Sequence, residues 1–372
     1  MTRAAPRSET ARRAGGPAPA ATAVAVAAFL TMLLPAGVPA EPTAAPAITF
    51  IHMAGPTTGW ARTNTRLLRT DDGGVHWTDV TPPGRASIAD AAHAFLGGSA
   101  AWIAVAPGAA ATVDVFRTTN GGRTWRRAVA TAQNVGQMVF ADARRGWMTV
   151  DLDNAMSSEA LRLLHTEDGG VTWTEVARTD LPVDPVRSGL PISGDKSGFA
   201  FLDATTGWIT GYVPRDNYTY LYTTTNGGRT WRFETLPLPT GMGTVQVGLN
   251  PPAVFAPSEA VLTAQLNGAR VPLTLVYVTH DAGAHWVFTA PVPANTPVSS
   301  FLTARVGWMS SGTTLYATRD AGHHWTIEPP SGVFRDVAEL DFVSETAGWA
   351  VIRSAPFLLK TSDGGRTWAP VR

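Results

Sequence analysis

From residue 48 onward the chain reads as short apolar runs broken by turn residues. The first unit has runs at Ile48–His52, Trp60–Arg62, Leu67–Thr70 and Trp77–Val80. The last unit repeats the pattern at Ala338–Val343, Trp349–Ile352, Phe357–Thr361 and Trp368–Val371. Runs this short, bounded by Gly, Pro, Asn and Asp, predict β-strands. One octapeptide separates the third run from the fourth. It is Thr70-Asp71-Asp72-Gly73-Gly74-Val75-His76-Trp77 in the first copy and recurs from Thr118, Thr166, Thr224, Thr279, Thr318 and Thr361. The seven copies share the pattern T-x-[DN]-[GA]-G-x-x-W and lie 39 to 58 residues apart. A second signature opens the second run: Gly59-Trp60, Gly146-Trp147, Gly207-Trp208, Gly307-Trp308 and Gly348-Trp349. The second unit has Ala101-Trp102 there, and the fifth has Ala260-Val261. Seven turn tryptophans and six of these account for all 13 in the chain. Four strands per unit, repeated seven times, predict an all-β chain folded as a seven-bladed β-propeller of four-stranded antiparallel blades.

The octapeptide fits a tight hairpin between the third and fourth strands. Its Asp or Asn is Asp72, Asn120, Asp168, Asn226, Asp281, Asp320 or Asp363. Such a side chain accepts bonds from turn N–H groups. The Gly at the fifth position takes positive φ without a Cβ clash. Thr ends a strand, where β-branching fits, and Trp buries a large ring. Asn120 and Asn226 carry no charge, which favours a structural role for these seven residues over a calcium or substrate site.

These turns resemble the Asp-box, or BNR, repeat. Together with the Gly-Trp strand, they resemble the Ycf48/HCF136-like photosystem II stability and assembly factors and their bacterial relatives, over residues 48–372. The resemblance implies the propeller fold, export, and a non-catalytic role in holding a reaction-centre subunit. The family's binding surface is an arginine-rich patch, which this sequence does not place residue by residue. Asp boxes also occur in sialidases, xyloglucanases and sortilin-type receptors, so they specify function weakly.

Composition narrows the field. The chain has 372 residues, 29 Lys+Arg, 29 Asp+Glu and no cysteine. A balanced charge argues against a general nucleic-acid binder. The lack of cysteine excludes disulfides, thiolate metal sites and a cysteine nucleophile. Residues 1–40 carry Arg3, Arg7, Arg12 and Arg13, then an apolar run from Val24 to Leu34, then Val38-Pro39-Ala40. That order predicts a signal peptide over 1–40, a linker at 41–47 and a propeller over 48–372. Removing residues 1–40 takes away four Arg and one Glu, which leaves 25 basic and 28 acidic residues.

No catalytic motif stands out. The Arg-Ile-Pro of sialidases is absent, as are H-E-x-x-H, G-x-S-x-G and a P-loop. The tyrosines Tyr212, Tyr218, Tyr220 and Tyr222 have no Glu near them in sequence. A glycosidase needs two facing carboxylates, for which Asp151, Asp153, Asp184, Asp195 and Asp216 are candidates. His76, His285, His323 and His324 fill variable turn positions and read as exposed turn residues. No metal or cofactor is expected.

Insertions carry more information. In such blades the A–B and C–D loops share one face of the disk, and the B–C and D–A loops share the other. The long segments Asp151–Ala160, Thr179–Gly198, Val213–Thr219 and Leu236–Pro252 all fall on the second face, in blades three, four and the start of five. Insertions gathered on one face of a repeat array mark a binding face. Its candidate residues are Asp151, Asp153, Asp184, Arg187, Lys196, Arg215, Asp216, Tyr218, Tyr220 and Arg270. The sequence thus predicts an exported monomeric scaffold for a protein partner, a membrane-protein complex by the resemblance. A secreted glycosidase or a carbohydrate- or envelope-binding module is the alternative.

Overall fold

The structure is a computed structural model, and it describes residues 47–106, 111–155, 158–179, 189–268, 273–294, 298–328, 334–354 and 357–371. All belong to the unit Ala45–Arg372. The expected signal peptide and nearly all of the linker lie outside the described residues.

The described residues form seven antiparallel sheets, each built from one sequence repeat, arranged as a propeller. Six sheets have four strands in chain order, A to D, and the fifth blade has five. The A strands are Phe50–Met53, Ala92–Leu96, Val135–Phe140, Asp195–Phe201, Gln246–Leu249, Val298–Phe301 and Val337–Phe342. They lie innermost. In the first unit the fourth run pairs only over Thr78–Asp79, shorter than the expected Trp77–Val80. In blade five, Pro251 and Pro252 offer no N–H to a ladder. The inner strand therefore stops at Leu249, and a separate strand, Ala253–Phe255, pairs with the same neighbour.

The Gly-Trp signature has a packing cause. A Cβ on Gly146, Gly207 or Gly348 would meet Phe140, Phe201 or Phe342 of its own blade at 2.6 Å. The following Trp reaches the next blade. Trp102 stacks on Phe140 at 3.8 Å, Trp147 on Phe201 at 3.6 Å and Trp308 on Phe342 at 3.8 Å. Where Ala101 replaces the Gly, it pairs with Phe95, and Trp60 stands 5.4 Å from that ring.

The indole N–H groups complete this seam. Trp102, Trp147, Trp308 and Trp349 donate to the carbonyls of Gly169, Gly227, Gly364 and Gly73 at 2.9 to 3.0 Å. Each acceptor is the fourth residue of the next blade's octapeptide. The Trp349–Gly73 bond therefore closes the ring from blade seven to blade one with the link used elsewhere. No strand is exchanged between first and last blades among the described residues. Three seams depart from the rule. Trp60 donates to Gly97 O, in the A–B turn of blade two, at 3.1 Å. Trp208 has no acceptor for its indole N–H among the described residues, and blade five offers Val261 instead of Trp. The octapeptides facing the last two seams carry Ala282 and Ala321 at the fourth position, both at positive φ.

The inner strands expose one unpaired edge each, which must be satisfied or blunted. Side chains of the preceding blade do so. Asp341 Oδ2 accepts from Met53 N–H at 2.5 Å, Gln137 Oε1 from Phe199 N–H at 2.8 Å, and Ser300 Oγ from Phe342 N–H at 2.9 Å.

Candidate functional site

On the octapeptide face the Thr and the Asp or Asn side chains are spent within their own turns. In all seven copies the Thr hydroxyl donates to the Asp or Asn at 2.8 to 3.0 Å. The same oxygen accepts from the fifth-position Gly N–H at 2.8 to 3.0 Å. Thr is thus the hub of the turn, and not only a β-branched strand end. The Asp or Asn Oδ1 accepts from the seventh residue's N–H at 2.9 to 3.0 Å. That seventh residue also bonds the second side-chain atom. It is His76, His285 or His324 at 2.6 Å from an Asp, Thr172 or Thr367 at 2.6 Å from an Asp, and Thr124 or Thr230 at 2.8 Å from an Asn. Each set of partners holds a carboxylate below its ordinary range. Asp72 and Asp320 fall to about 2, with the backbone N–H of the histidine as the largest cause. Asp281 and Asp363 also fall to about 2, led by the side-chain bonds from His285 and Thr367.

On the opposite face the inserts are joined to one another. The predicted B–C loop Asp151–Ala160 is largely strand. Blade three's B and C strands extend over Gly146–Ala155 and Ser158–Thr166, with a bulge between Asp151 and Asp153. Its far end meets the next D–A segment through the Ser158–Gly194 bridge and the Glu159 N–H to Ile192 carbonyl bond, 2.9 Å. Blade four's B–C loop joins blade five through the Asp216–Gln246 bridge. Asn217 N–H donates to Val245 O at 2.7 Å, and Val245 N–H to Asn217 Oδ1 at 3.1 Å. These pairs form a backbone-linked collar.

Beneath the collar, near the axis, lies a cavity of about 480 Å³ between blades two, three and four. Its polar lining includes His93, Gln137, Thr149, Asp151, Glu159 and Lys196; Met138, Leu161, Phe199 and Ile209 supply apolar wall. Burial first, then the charge of Glu159, pushes the Asp151 carboxyl up. Burial lowers Lys196 to about 8 against the opposing pull of Glu159 and Asp195. Its ammonium is encircled by the carbonyls of Glu159, Ile192, Gly194 and Ser193 at 2.8 to 3.4 Å. Burial and then Arg62 lower His93 to about 4. Arg62 Nη1 sits 2.8 Å from His93 Nδ1.

The sequence candidates therefore divide. Asp151 and Lys196 line the cavity. Arg215, Asp216 and Tyr218 do not; Tyr218 stacks on Phe233 of blade four's outermost strand at 5.0 Å, with the Arg215 guanidinium 5.0 Å from the Tyr218 ring. Tyr220 is 1% exposed and belongs to the core between blades three and four. Asp184, Arg187 and Arg270 lie outside the described residues, as does the side chain of Asp153. Sequence reading missed His93, Gln137, Thr149 and Glu159. They occupy strands; for the first three the signal was a polar residue interrupting an apolar strand, and for Glu159 its place in the insert Asp151–Ala160.

A second group lies on the inner strand of blade seven. Burial and then Asp341 raise Glu339 to about 7, and burial raises Asp341 to about 6 despite its bond from Met53 N–H.

The fold and these sites define a seven-bladed propeller with one structural face and one elaborated face. No protein-family model matches the chain, and no curated protein matches it by sequence. Solved structures do resemble it. YCF48 bound to D1 peptide is 17% identical with a TM-score of 0.52, over 83% of this chain and 89% of that one. The GH74 xyloglucanase from Xanthomonas campestris is 15% identical with a TM-score of 0.58, over 87% of this chain and 54% of that one. The β-propeller domain of Myceliophteria thermophila Cps50 (Swd1) is 9% identical with a TM-score of 0.55, over 85% and 96%. At such identities the likeness is one of fold.

Proposed function

We propose that the chain is an exported, non-catalytic scaffold that holds a protein segment on its loop face. The observation that carries this reading is the collar: inserts of blades three to five are tied by backbone pairs, and those around Asp151, Glu159 and Lys196 border a cavity near the axis. A surface built this way is pre-organised, which reduces the ordering cost of binding. A propeller of like fold holding a D1 peptide, YCF48, supports a peptide partner. The finer role is that of a Ycf48-like assembly or stability factor acting on a membrane-protein complex outside the cytoplasm. The test is capture from the host's membrane extract with the mature chain, beside a control with Thr179–Gly198 shortened to a tight turn. One membrane complex recovered by the first and lost by the second is expected. Equal recovery by both contradicts the loop-face assignment.

A second reading, glycoside hydrolysis, draws on the raised carboxyls of Glu339 and Asp341 and the fold shared with a GH74 enzyme. A carboxyl protonated near neutrality is suited to general-acid work. Hydrolysis of xyloglucan that vanishes in Glu339→Gln establishes this reading and overturns the scaffold.

A further inference from the structure

The cavity under the collar, at about 480 Å³, has room for a long side chain of a partner together with the backbone that carries it. Its wall is apolar through Met138, Leu161, Phe199 and Ile209, all nearly fully buried. Its polar groups are not equivalent. Lys196 spends its ammonium on backbone carbonyls of the collar. Glu159 accepts the Lys196 backbone N–H at 2.6 Å. His93 is held neutral beside the Arg62 guanidinium. Thr149 exchanges bonds with the backbone of Gln137, whose own amide oxygen caps Phe199 N–H. Asp151 alone among the charged lining groups has no hydrogen-bonding or ion-pair partner for its carboxylate among the described residues.

Two glycines keep the space open. A Cβ on Gly136 would meet Thr149 Oγ1 at 2.6 Å and Asp151 Oδ1 at 3.1 Å. Gly198, at φ +146°, would meet Gln137 Oε1 at 2.6 Å. An apolar wall ending in an unpaired carboxylate matches a long aliphatic stem with a cationic head. A carboxylate or phosphate would face Asp151 and Glu159 together, with the one nearby ammonium already enclosed.

We infer that this cavity takes a Lys or Arg side chain from an extended segment of the protein partner, with Asp151 as its counter-ion. The inference rests on the scaffold reading and names the chemistry of the partner. It places the recognised cation on the partner and the anion on this chain.

The test uses the full chain and short Gly-Ser peptides carrying a single central Arg, Lys, Gln or Glu. Methyl NMR signals of Leu161 and Ile209 report occupancy. The Arg and Lys peptides shift these signals, and the Glu peptide does not. Asp151→Asn weakens the Arg and Lys peptides about ten-fold, as expected for a charge-assisted bond. Glu159→Gln, which does not remove the counter-ion, weakens them less. Thermal melts confirm that both variants fold. Peptides that bind without regard to charge or to Asp151 overturn the inference and leave the scaffold reading standing. Arg and Lys peptides that leave both signals unmoved also overturn it, while the membrane-extract capture judges the scaffold separately.

Discussion

On the octapeptide face each turn is held by atoms of its own eight residues and of adjacent turns. The fourth residue's N–H donates to the A–B turn of its own blade in all seven copies, at 2.7 to 3.0 Å. On the loop face the inserts of blades three to five are held by backbone pairs between segments distant in sequence, and no two pairs are alike. The contrast separates what the repeat needs in order to fold from what is particular to this chain. A turn whose Thr hydroxyl and Asp or Asn side chain are answered locally has little chemistry left there for a ligand. A face with an unanswered carboxylate in a cavity has some.

The largest expected effect tests that separation directly. Trp102→Ala on the octapeptide side should cost about 3–5 kcal/mol in urea unfolding. Asp151→Asn on the loop side should stay within about 0.5 kcal/mol. A loop-side loss as large as the Trp loss would erase the distinction.

The next effect is opposite in sign with pH. Glu339 and Asp341 bind their protons more tightly folded than unfolded, because burial disfavours the charge. Their protonated forms therefore favour the fold, and stability falls as pH rises from about 4 through about 7, by about 2–3 kcal/mol per group at most. The octapeptide carboxylates bind protons less tightly folded. Their contribution is present above about 4 and is lost as pH falls toward about 2. Melting curves across pH should show both limbs. Asp341→Asn should flatten the limb between about 4 and 7 alone, and Asp363→Asn should soften the acid limb alone.

The seams can be sharpened in the same way. Trp147 donates its indole N–H across a seam, whereas that of Trp208 is unpartnered among the described residues. Trp147→Phe should cost about 1–2 kcal/mol more than Trp208→Phe. Ala321, at φ +64°, stands where five other copies have Gly. Ala321→Gly should gain about 0.5–1 kcal/mol, read as a higher urea midpoint.

The smallest effect belongs to Asp72→Asn, a shift in urea midpoint near the error of the measurement, because Asn120 and Asn226 make the same Oδ1 bonds. Their seventh residue is Thr, while that of the first copy is His76. Adding His76→Thr to Asp72→Asn should recover most of any loss.

The propeller was legible because its signals are periodic. Seven octapeptides and the Gly-Trp runs state the blade count, and in the first and last units only strand ends moved, by a residue or two. The Thr hub was hidden because a β-branched residue at a strand end already had an explanation. The split inner strand of blade five was written in Pro251-Pro252, but those residues fell inside a predicted loop. The cavity was half legible. Asp151, Glu159 and Lys196 were in recognisable inserts, although Glu159 was not singled out, while His93, Gln137 and Thr149 reach it from strands that sequence spacing does not place side by side. Arg215 and Tyr218 were in the right insert yet sit at the outer rim, because Tyr218 finds a stacking partner in Phe233.

The central claim is that the loop face, and not the octapeptide face, meets the partner. A photo-crosslinking residue placed at Ser197, beside the cavity, and another at Arg123, in the second octapeptide, test it in one experiment on membrane extract. The account predicts a crosslinked partner protein from Ser197 and none from Arg123. A partner crosslinked from Arg123 alone would contradict it.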